Sequence, residues 1–178
     1  MALPRYIPHY TLDDYLKWEG SWELWSGVPV AMSPSADKRH QRLASALHFL
    51  LKSALKQSRC TKCEVYFELD WVASEENIFR PDLLIVCDDT PSRYLETTPV
   101  FIAEILSEST RQRDLVYKRE CYLQLGVRYY LIVDPEKESL DLLSLADGRY
   151  VETDSQTLVL NDECEIQVEF GEAFADLS

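Results

Sequence analysis

The chain has 178 residues, a formal net charge of −13 at pH 7 and a pI of about 4.6. This length predicts a single domain over residues 1–178. No apolar run approaches the roughly 20 residues that cross a bilayer, so we expect no membrane association and a cytoplasmic protein. The acidity argues against tight nonspecific binding of a polyanion, although residues 1–130 hold 16 Lys and Arg against 18 Asp and Glu, and the acidic excess lies beyond them.

The N-terminal third of the chain predicts three elements. Thr11–Leu16 has the pattern of a short capped helix, and Trp22–Met32 that of a hairpin turning at Ser26 and Gly27. Leucines recur every three or four residues over Lys38–Ser58, which predicts an amphipathic helix.

The middle of the chain predicts strands around a second helix. Glu64–Val72 alternates polar and apolar residues, and Phe79–Cys87 and Val100–Leu106 are apolar runs of strand length. Thr110–Leu125 predicts a helix that ends at a glycine, and Arg128–Val133 predicts the next strand.

The C-terminal part predicts one late β-hairpin, Leu140–Leu145 with Arg149–Val151, turning at Asp147 and Gly148. Residues 154–178 are acidic and weakly patterned. Together the elements predict an α/β fold with a mixed central β-sheet flanked by helices, an N-terminal hairpin and a late hairpin.

Three charged residues stand where apolar side chains are expected. Asp82 opens a strand, Glu104 lies inside an apolar strand, and Lys118 falls on the apolar arc of its helix. Two strand carboxylates with an inward lysine are the parts of a metal-dependent site that cleaves phosphodiesters, in which the carbonyl of Ile105 is a further candidate metal ligand. The alternative is that Glu104 and Lys118 form one buried ion pair without catalysis.

Other polar groups have two interpretations each. Glu23, between tryptophan and leucine, is either a further ligand or water-holding group near the metal, or a solvated carboxylate on a hairpin. Arg39, His40 and Gln41 at the start of the long helix either bind phosphate or form a solvated surface. Two more basic residues in the same neutral part of the chain, Arg111 and Arg113, are candidates for substrate binding.

Three of the five cysteines, Cys87, Cys121 and Cys164, stand alone in apolar or patterned segments, as free thiols of a reducing compartment do. Cys60 and Cys63 have the spacing of half a zinc site, but no second pair accompanies them, which disfavours structural zinc.

A series of motifs carries a family resemblance over about residues 22–150. The chain resembles the putative restriction endonuclease family, a former domain of unknown function within the PD-(D/E)XK nuclease superfamily. The matching stretches are Trp22–Gly27, Met32–Pro34 with His40 and Gln41, Phe79–Leu83, Glu104–Arg111, Asp114–Lys118 and Gly126–Pro135.

The resemblance implies a restriction-endonuclease-like core and a DNA endonuclease that depends on magnesium, for which manganese is expected to substitute. It assigns Asp82 and Glu104 to the metal and Glu23 to an acidic position nearby. Leu106 occupies the usual position of the catalytic lysine, and the resemblance assigns that role to Lys118 instead. Residues 154–178 depart from the family pattern. The alternatives are a catalytically idle nuclease-fold protein that acts in interaction or regulation, and hydrolysis of RNA or a smaller phosphoester.

Association is also expected. Trp18, Trp22 and Trp25 suggest exposed aromatic surface, and nuclease-fold proteins that cut two strands often pair, which predicts a homodimer.

Overall fold

The computed structural model describes residues 8–32, 37–90 and 92–175, and its mixed α/β architecture confirms the predicted fold class. Within these ranges no helix is long and apolar enough to span a membrane. In chain order the elements are α1 (Leu12–Tyr15), β1 (Trp22–Trp25), β2 (Val28–Ala31), α2 (Lys38–Gln57), β3 (Cys63–Phe67), β4 (Trp71–Ser74), β5 (Asn77–Phe79), β6 (Leu83–Cys87), β7 (Phe101–Ile105), a π-helical segment (Arg113–Lys118) continued by α3 (Arg119–Gln124), β8 (Tyr129–Asp134), β9 (Ser139–Ala146), β10 (Arg149–Glu152), β11 (Thr157–Asn161), β12 (Cys164–Gln167) and a 3₁₀ turn (Phe170–Phe174).

The centre of the molecule is a six-stranded mixed sheet in the order β10-β9-β8-β7-β6-β3. Strands β7 and β8 run parallel, and the other neighbours run antiparallel. A four-stranded antiparallel sheet, β2-β1-β5-β4, carries the predicted N-terminal hairpin, and β11 pairs with β12. The site residues come from the first two of these sheets and from the helix that follows β7.

Alternate residues of β7 face opposite sides of the central sheet. Ala103 and Ile105 pack with Leu47 and the rest of the buried stripe of α2, whereas Ile102 packs with Tyr122 of α3. By the same alternation Glu104 lies on the α3 side. A carboxylate therefore enters the core on the face where the helix carrying Lys118 packs.

Two predicted strands are each divided in two, so those predictions are wrong in detail. Glu64–Val72 breaks at Glu68, whose φ of 42° lies in the left-handed region and ends β3 before the chain enters the other sheet as β4. Phe79–Cys87 breaks at Pro81, which has no N–H for a ladder hydrogen bond. The second break leaves Asp82 at the junction between the two sheets.

The acidic C-terminal segment contains regular structure that the sequence does not predict. Its hairpin β11–β12 buries Leu158 and Ile166 completely. The Phe170 ring stacks on Phe101 with centroids 5.8 Å apart. The segment thus covers the α2 side of the central sheet, opposite the site.

Four of the five cysteines are paired, so the prediction of free thiols is wrong for Cys87 and Cys164 and is confirmed for Cys121. Cys63 and Cys87 face each other in the register of β3 and β6 and form one disulfide. Cys60, just after α2, is bonded to Cys164 in β12, and Cys121 is free. Spacing along the chain could not show these pairs, because folding across the sheet and the late hairpin brings them together.

Reduction of the disulfides is expected to lower stability. The Cys60–Cys164 bond joins residues 104 positions apart, so reducing it frees a long loop in the unfolded chain and should lower the free energy of unfolding by about 2 to 4 kcal/mol. Denaturant titrations of wild type and Cys164→Ser, with and without reductant, measure this change. Cys121→Ser is the matched control. A wild-type denaturation midpoint that is the same with and without reductant would contradict the expectation.

Candidate active site

Glu104 is buried near the end of β7, in register with Ile132 of the parallel strand β8. The Tyr122 hydroxyl donates a 2.7 Å hydrogen bond to its Oε1 atom. No described residue donates a hydrogen bond to Oε2. An apolar strand can hold this carboxylate because α3 supplies a donor and the preceding π segment supplies a cation.

Asp82 lies beside Glu104 at the start of β6. Leu83 pairs with Ala103, so continuing the antiparallel register sets Asp82 opposite Glu104 on the same sheet face. Its Oδ2 atom accepts a 2.7 Å hydrogen bond from the Ile105 amide and lies 3.0 Å from His40 Nε2. Among the described residues no donor reaches Oδ1.

Lys118 joins three buried carboxylates. Its Nζ atom lies 3.0 Å from Glu104 Oε1, 3.1 Å from Glu23 Oε1 and 3.7 Å from Asp114 Oδ1. All four side chains are less than a tenth exposed. The Arg80 amide also donates a 2.8 Å hydrogen bond to Glu23 Oε1. The predicted ion pair between Glu104 and Lys118 is thus one part of a larger cluster, and Glu23 is not solvated.

The helix that carries Lys118 has a π-helical first half. Asp114, Lys118 and Tyr122 follow one another at intervals of four, and all three are buried. Four residues rotate by about 400° in an α-helix, whereas the wider π turn rotates them less and offsets this drift. The π segment therefore helps to keep the three side chains aimed at β7.

The charges in the cluster shift its ionisation. Burial disfavours the ammonium of Lys118, but Glu104, Glu23 and Asp114 outweigh it and raise the pKa of Lys118 well above its ordinary value. Burial also raises the pKa of Glu104 well above its usual range, and Lys118 offsets this only in part. Burial among apolar residues alone would lower the pKa of this lysine, but the three carboxylates around the amine reverse that effect.

Replacing Asp114 with asparagine is expected to change how stability depends on pH. Burial raises the pKa of Asp114 from 3.8 to about 6, so the folded protein retains a proton that the unfolded chain releases. The stability from this group is complete below about pH 4 and is lost as pH rises through about 6. Relative to the variant, wild type should lose up to about 3 kcal/mol over this window.

Urea denaturation of both proteins at the two ends of this pH window measures that loss. Asp141→Asn, on β9 outside the cluster, is the matched control. A difference between wild type and Asp114→Asn that stays constant with pH would contradict the assignment.

The predicted substrate-binding residues differ in how close they lie to the cluster and in whether they are already held in ion pairs. His40 contacts Asp82, and although burial opposes its charged form, the hydrogen bond and charge of Asp82 raise the pKa of His40. Arg39 forms a 2.7 Å ion pair with Glu138, and Arg111 donates bidentate hydrogen bonds of 2.8 and 3.0 Å to Asp134. Gln41 is exposed and does not line the cleft.

The cluster opens into a cleft of about 780 Å³ that also contains Asp82, His40 and Arg113. A second cavity of about 630 Å³ lies at the edge of β3 and contains none of these groups. The described lining of the cleft has five cationic side chains, which are Arg39, Arg80, Arg111, Arg113 and Lys118. It has eight carboxylates, which are Glu23, Asp37, Glu68, Asp82, Glu104, Glu108, Asp114 and Glu136.

Comparison with known proteins identifies the family. The model of the Uma2 family, described as "Putative restriction endonuclease", matches residues 12–173. The chain belongs to the Uma2 family. A crystal structure described as a putative nuclease of DUF820 from Anabaena variabilis ATCC 29413 shares the fold, with a TM-score of 0.72 and 17% identity over 93% of this chain and 97% of that one. No curated protein matches the sequence.

Membership of Uma2 supports a nuclease, and the donor set can be tested for a divalent metal. In the described part of the chain no group of three or more His, Cys, Asp or Glu is arranged to hold a metal ion. Magnesium, however, commonly takes only one or two carboxylates and completes its shell with water and phosphate oxygens. Asp82 and Glu104, each with one oxygen not engaged by a described donor, fit that requirement.

The sequence interpretation of this Uma2 chain missed two members of the cluster. Asp114 stands four residues before Lys118, a spacing that places both on one helical face and could have indicated it. Tyr122 lies on the apolar arc of the same helix, and the role of its hydroxyl depends on the position of Glu104, which local patterning does not show.

Proposed function

We propose that this chain is a metal-dependent endonuclease that hydrolyses DNA phosphodiester bonds through metal-activated water. The observation that carries the proposal is the position of Lys118 Nζ, 3.0 Å from Glu104, in the cleft that also contains Asp82. Oxygen ligands beside a fixed cation are the groups that phosphodiester hydrolysis requires.

Some residues of the site would bind the metal, and others orient these ligands or stabilise charge. Asp82 and Glu104, with the carbonyl of Ile105, would hold magnesium or manganese. The bound metal would supply Lewis acidity and a hydroxide-like water at neutral pH. The Ile105 amide orients Asp82, and the Tyr122 hydroxyl orients Glu104.

Lys118 acts as a positive charge rather than as a base in this proposal. Its raised pKa keeps the amine protonated at neutral pH, so it can donate to a phosphate oxygen as negative charge builds up in the transition state. Glu23 and Asp114 hold the ammonium in place. Water adds to phosphorus through its oxygen, one P–O bond breaks, and one proton of the water ends on the leaving oxygen, which yields a phosphomonoester end and a hydroxyl end without a covalent intermediate.

Cleavage of supercoiled plasmid and labelled single-stranded DNA, with magnesium, manganese or a chelator, tests the proposal. We expect metal-dependent cleavage by wild type and none by Glu104→Gln at equal concentration. Cleavage that persists in both the chelator and the variant would refute the proposed mechanism.

The excess of carboxylates in the cleft favours a second candidate, a catalytically idle nuclease-fold protein with an interaction or regulatory role. Eight carboxylates against five cations repel a polyanion when no metal is bound. Metal that binds to wild type without producing any cleavage of DNA or RNA would favour this candidate.

A cytoplasmic location and a homodimer belong to the same proposal. The tryptophans that suggested association are occupied within the chain, since Trp18 packs edge-to-face on Trp22 and Trp25 stacks on Tyr117. Phe49, 70% exposed on α2, and Phe67, 44% exposed on β3, offer apolar surface instead. Light scattering at micromolar concentration should give twice the chain mass of 20.7 kDa. A mass equal to that of one chain would contradict the homodimer.

A further inference from the structure

An aromatic pair lies directly beside the buried charges. Trp25 ends β1 two residues after Glu23, and Tyr117 immediately precedes Lys118. Their rings stack with centroids 4.6 Å apart and planes 20° apart, and Trp25 lines the cleft. A partly exposed tryptophan ring thus lines the cleft next to the proposed reaction centre, with Tyr117 stacked on it.

Arg113 is the cation of the cleft that has no carboxylate partner among the described residues. Arg39, Arg80, Arg111 and Lys118 are all engaged in ion pairs. The Arg113 guanidinium instead lies 6.0 Å from the Trp25 ring centroid and donates a 3.4 Å hydrogen bond to the Ala31 carbonyl. Both contacts are at the long limit of their kind, so Arg113 can leave them at little cost to bind a phosphate.

This charge distribution limits how the cleft can hold DNA. Duplex binding depends mainly on many Lys and Arg contacts to phosphates, and here one arginine is uncommitted while carboxylates are in excess. Base stacking on an aromatic ring does not require such contacts and is strong for unpaired bases. A paired base cannot stack in this way, because both of its faces are covered within the duplex.

We propose, on the basis of the function proposed above, that the substrate of the cleft is an unpaired segment of DNA. One base stacks on Trp25, and the neighbouring phosphate is bound by Arg113. The scissile phosphate then lies beside Lys118, because Trp25 and Lys118 line the same cleft. Single strands, flaps and frayed ends have such segments, whereas an intact duplex does not.

Binding and cleavage measured in parallel test this inference. Fluorescence anisotropy in chelator, with a labelled oligothymidylate and a blunt duplex of the same length, gives affinity without catalysis. We expect wild type to bind the single strand at least about tenfold more tightly, and Trp25→Leu to lower that affinity by about 5- to 150-fold, the range for one lost stacking contact. Arg113→Gln should reduce the dependence of binding on salt by about one phosphate contact.

Matched controls separate local from general effects. Trp18→Leu removes a tryptophan that does not line the cleft, and Arg149→Gln removes an exposed charge on β10; neither should change the affinity. Melting temperatures establish that each variant is folded. Because Arg113 is exposed, its variant keeps the test decisive even where Trp25→Leu is unstable.

The possible failures can be told apart. Equal or tighter binding of duplex, tighter binding of oligouridylate than of oligothymidylate, or unchanged affinity in folded Trp25→Leu and in Arg113→Gln would each overturn the inference. If duplex and single strand are cleaved equally with metal, the proposed function survives and this inference fails. If the single strand binds as expected but no substrate is cleaved, the binding surface stands and the proposed nuclease function fails.

Discussion

Lys118→Met is expected to lower the turnover of DNA cleavage by about 10² to 10³, the range for losing one preorganised electrostatic group. It should also lower the free energy of unfolding by about 3 to 5 kcal/mol at neutral pH, because Glu23, Glu104 and Asp114 are left buried without a cation. Methionine fills a similar volume, so lost packing contributes little. The expected defect therefore affects both catalysis and folding.

Urea denaturation at neutral and mildly acidic pH, run beside the cleavage assay, measures both effects. The stability loss should shrink in acid, because the carboxylates left behind can take up protons. Lys52→Met is the matched control: it breaks the exposed ion pair with Glu64 and should cost at most about 1 kcal/mol. A Lys118→Met protein with wild-type stability and activity would be inconsistent with the cluster described here.

The second large effect is expected for Glu104→Gln, which should reduce cleavage by at least about 10³-fold. Loss of a metal ligand removes several kcal/mol of transition-state stabilisation, and each 1.4 kcal/mol corresponds to a tenfold change in rate. Stability should be retained or slightly increased. The amide oxygen can still accept from Tyr122 and Lys118, and the variant has one fewer buried negative charge.

Calorimetric titration with manganese and thermal melts separate metal loss from unfolding in this variant. We expect weaker metal binding and an unchanged or higher melting temperature. Glu120→Gln, on the exposed side of α3, is the control for the same chemical change. Full activity in Glu104→Gln would exclude Glu104 as a ligand that the reaction requires.

The site residues that the sequence could indicate were those that conflict with their surroundings. Glu104 and Lys118 are charged residues in apolar patterns, and burial of a charge demands a partner wherever the chain folds. Glu23 was ambiguous because a four-residue strand has too little periodicity to show which face is buried. Its neighbour through space, the Arg80 amide, is 57 residues away in the chain.

The fold class followed from local periodicity, whereas the strand breaks and the disulfides did not. Pro81, between Arg80 and Asp82, separates two apolar stretches, and their hydrophobicity alone does not show that a ladder N–H is missing between them. The pairing of Cys60 with Cys164 depends on a hairpin in an acidic segment, where alternate apolar residues are few and each strand is short. Contacts over such separations are set by the tertiary fold.

The ammonium of Lys118 also has a mechanical consequence. It binds Glu23 of the four-stranded sheet and Glu104 of the six-stranded sheet, so a single side chain ties the two sheets together at the cleft. Any ligand that draws Glu104 away from this amine changes the restraint between the sheets. By thermodynamic reciprocity, a change in the relative position of the two sheets alters the affinity for that ligand.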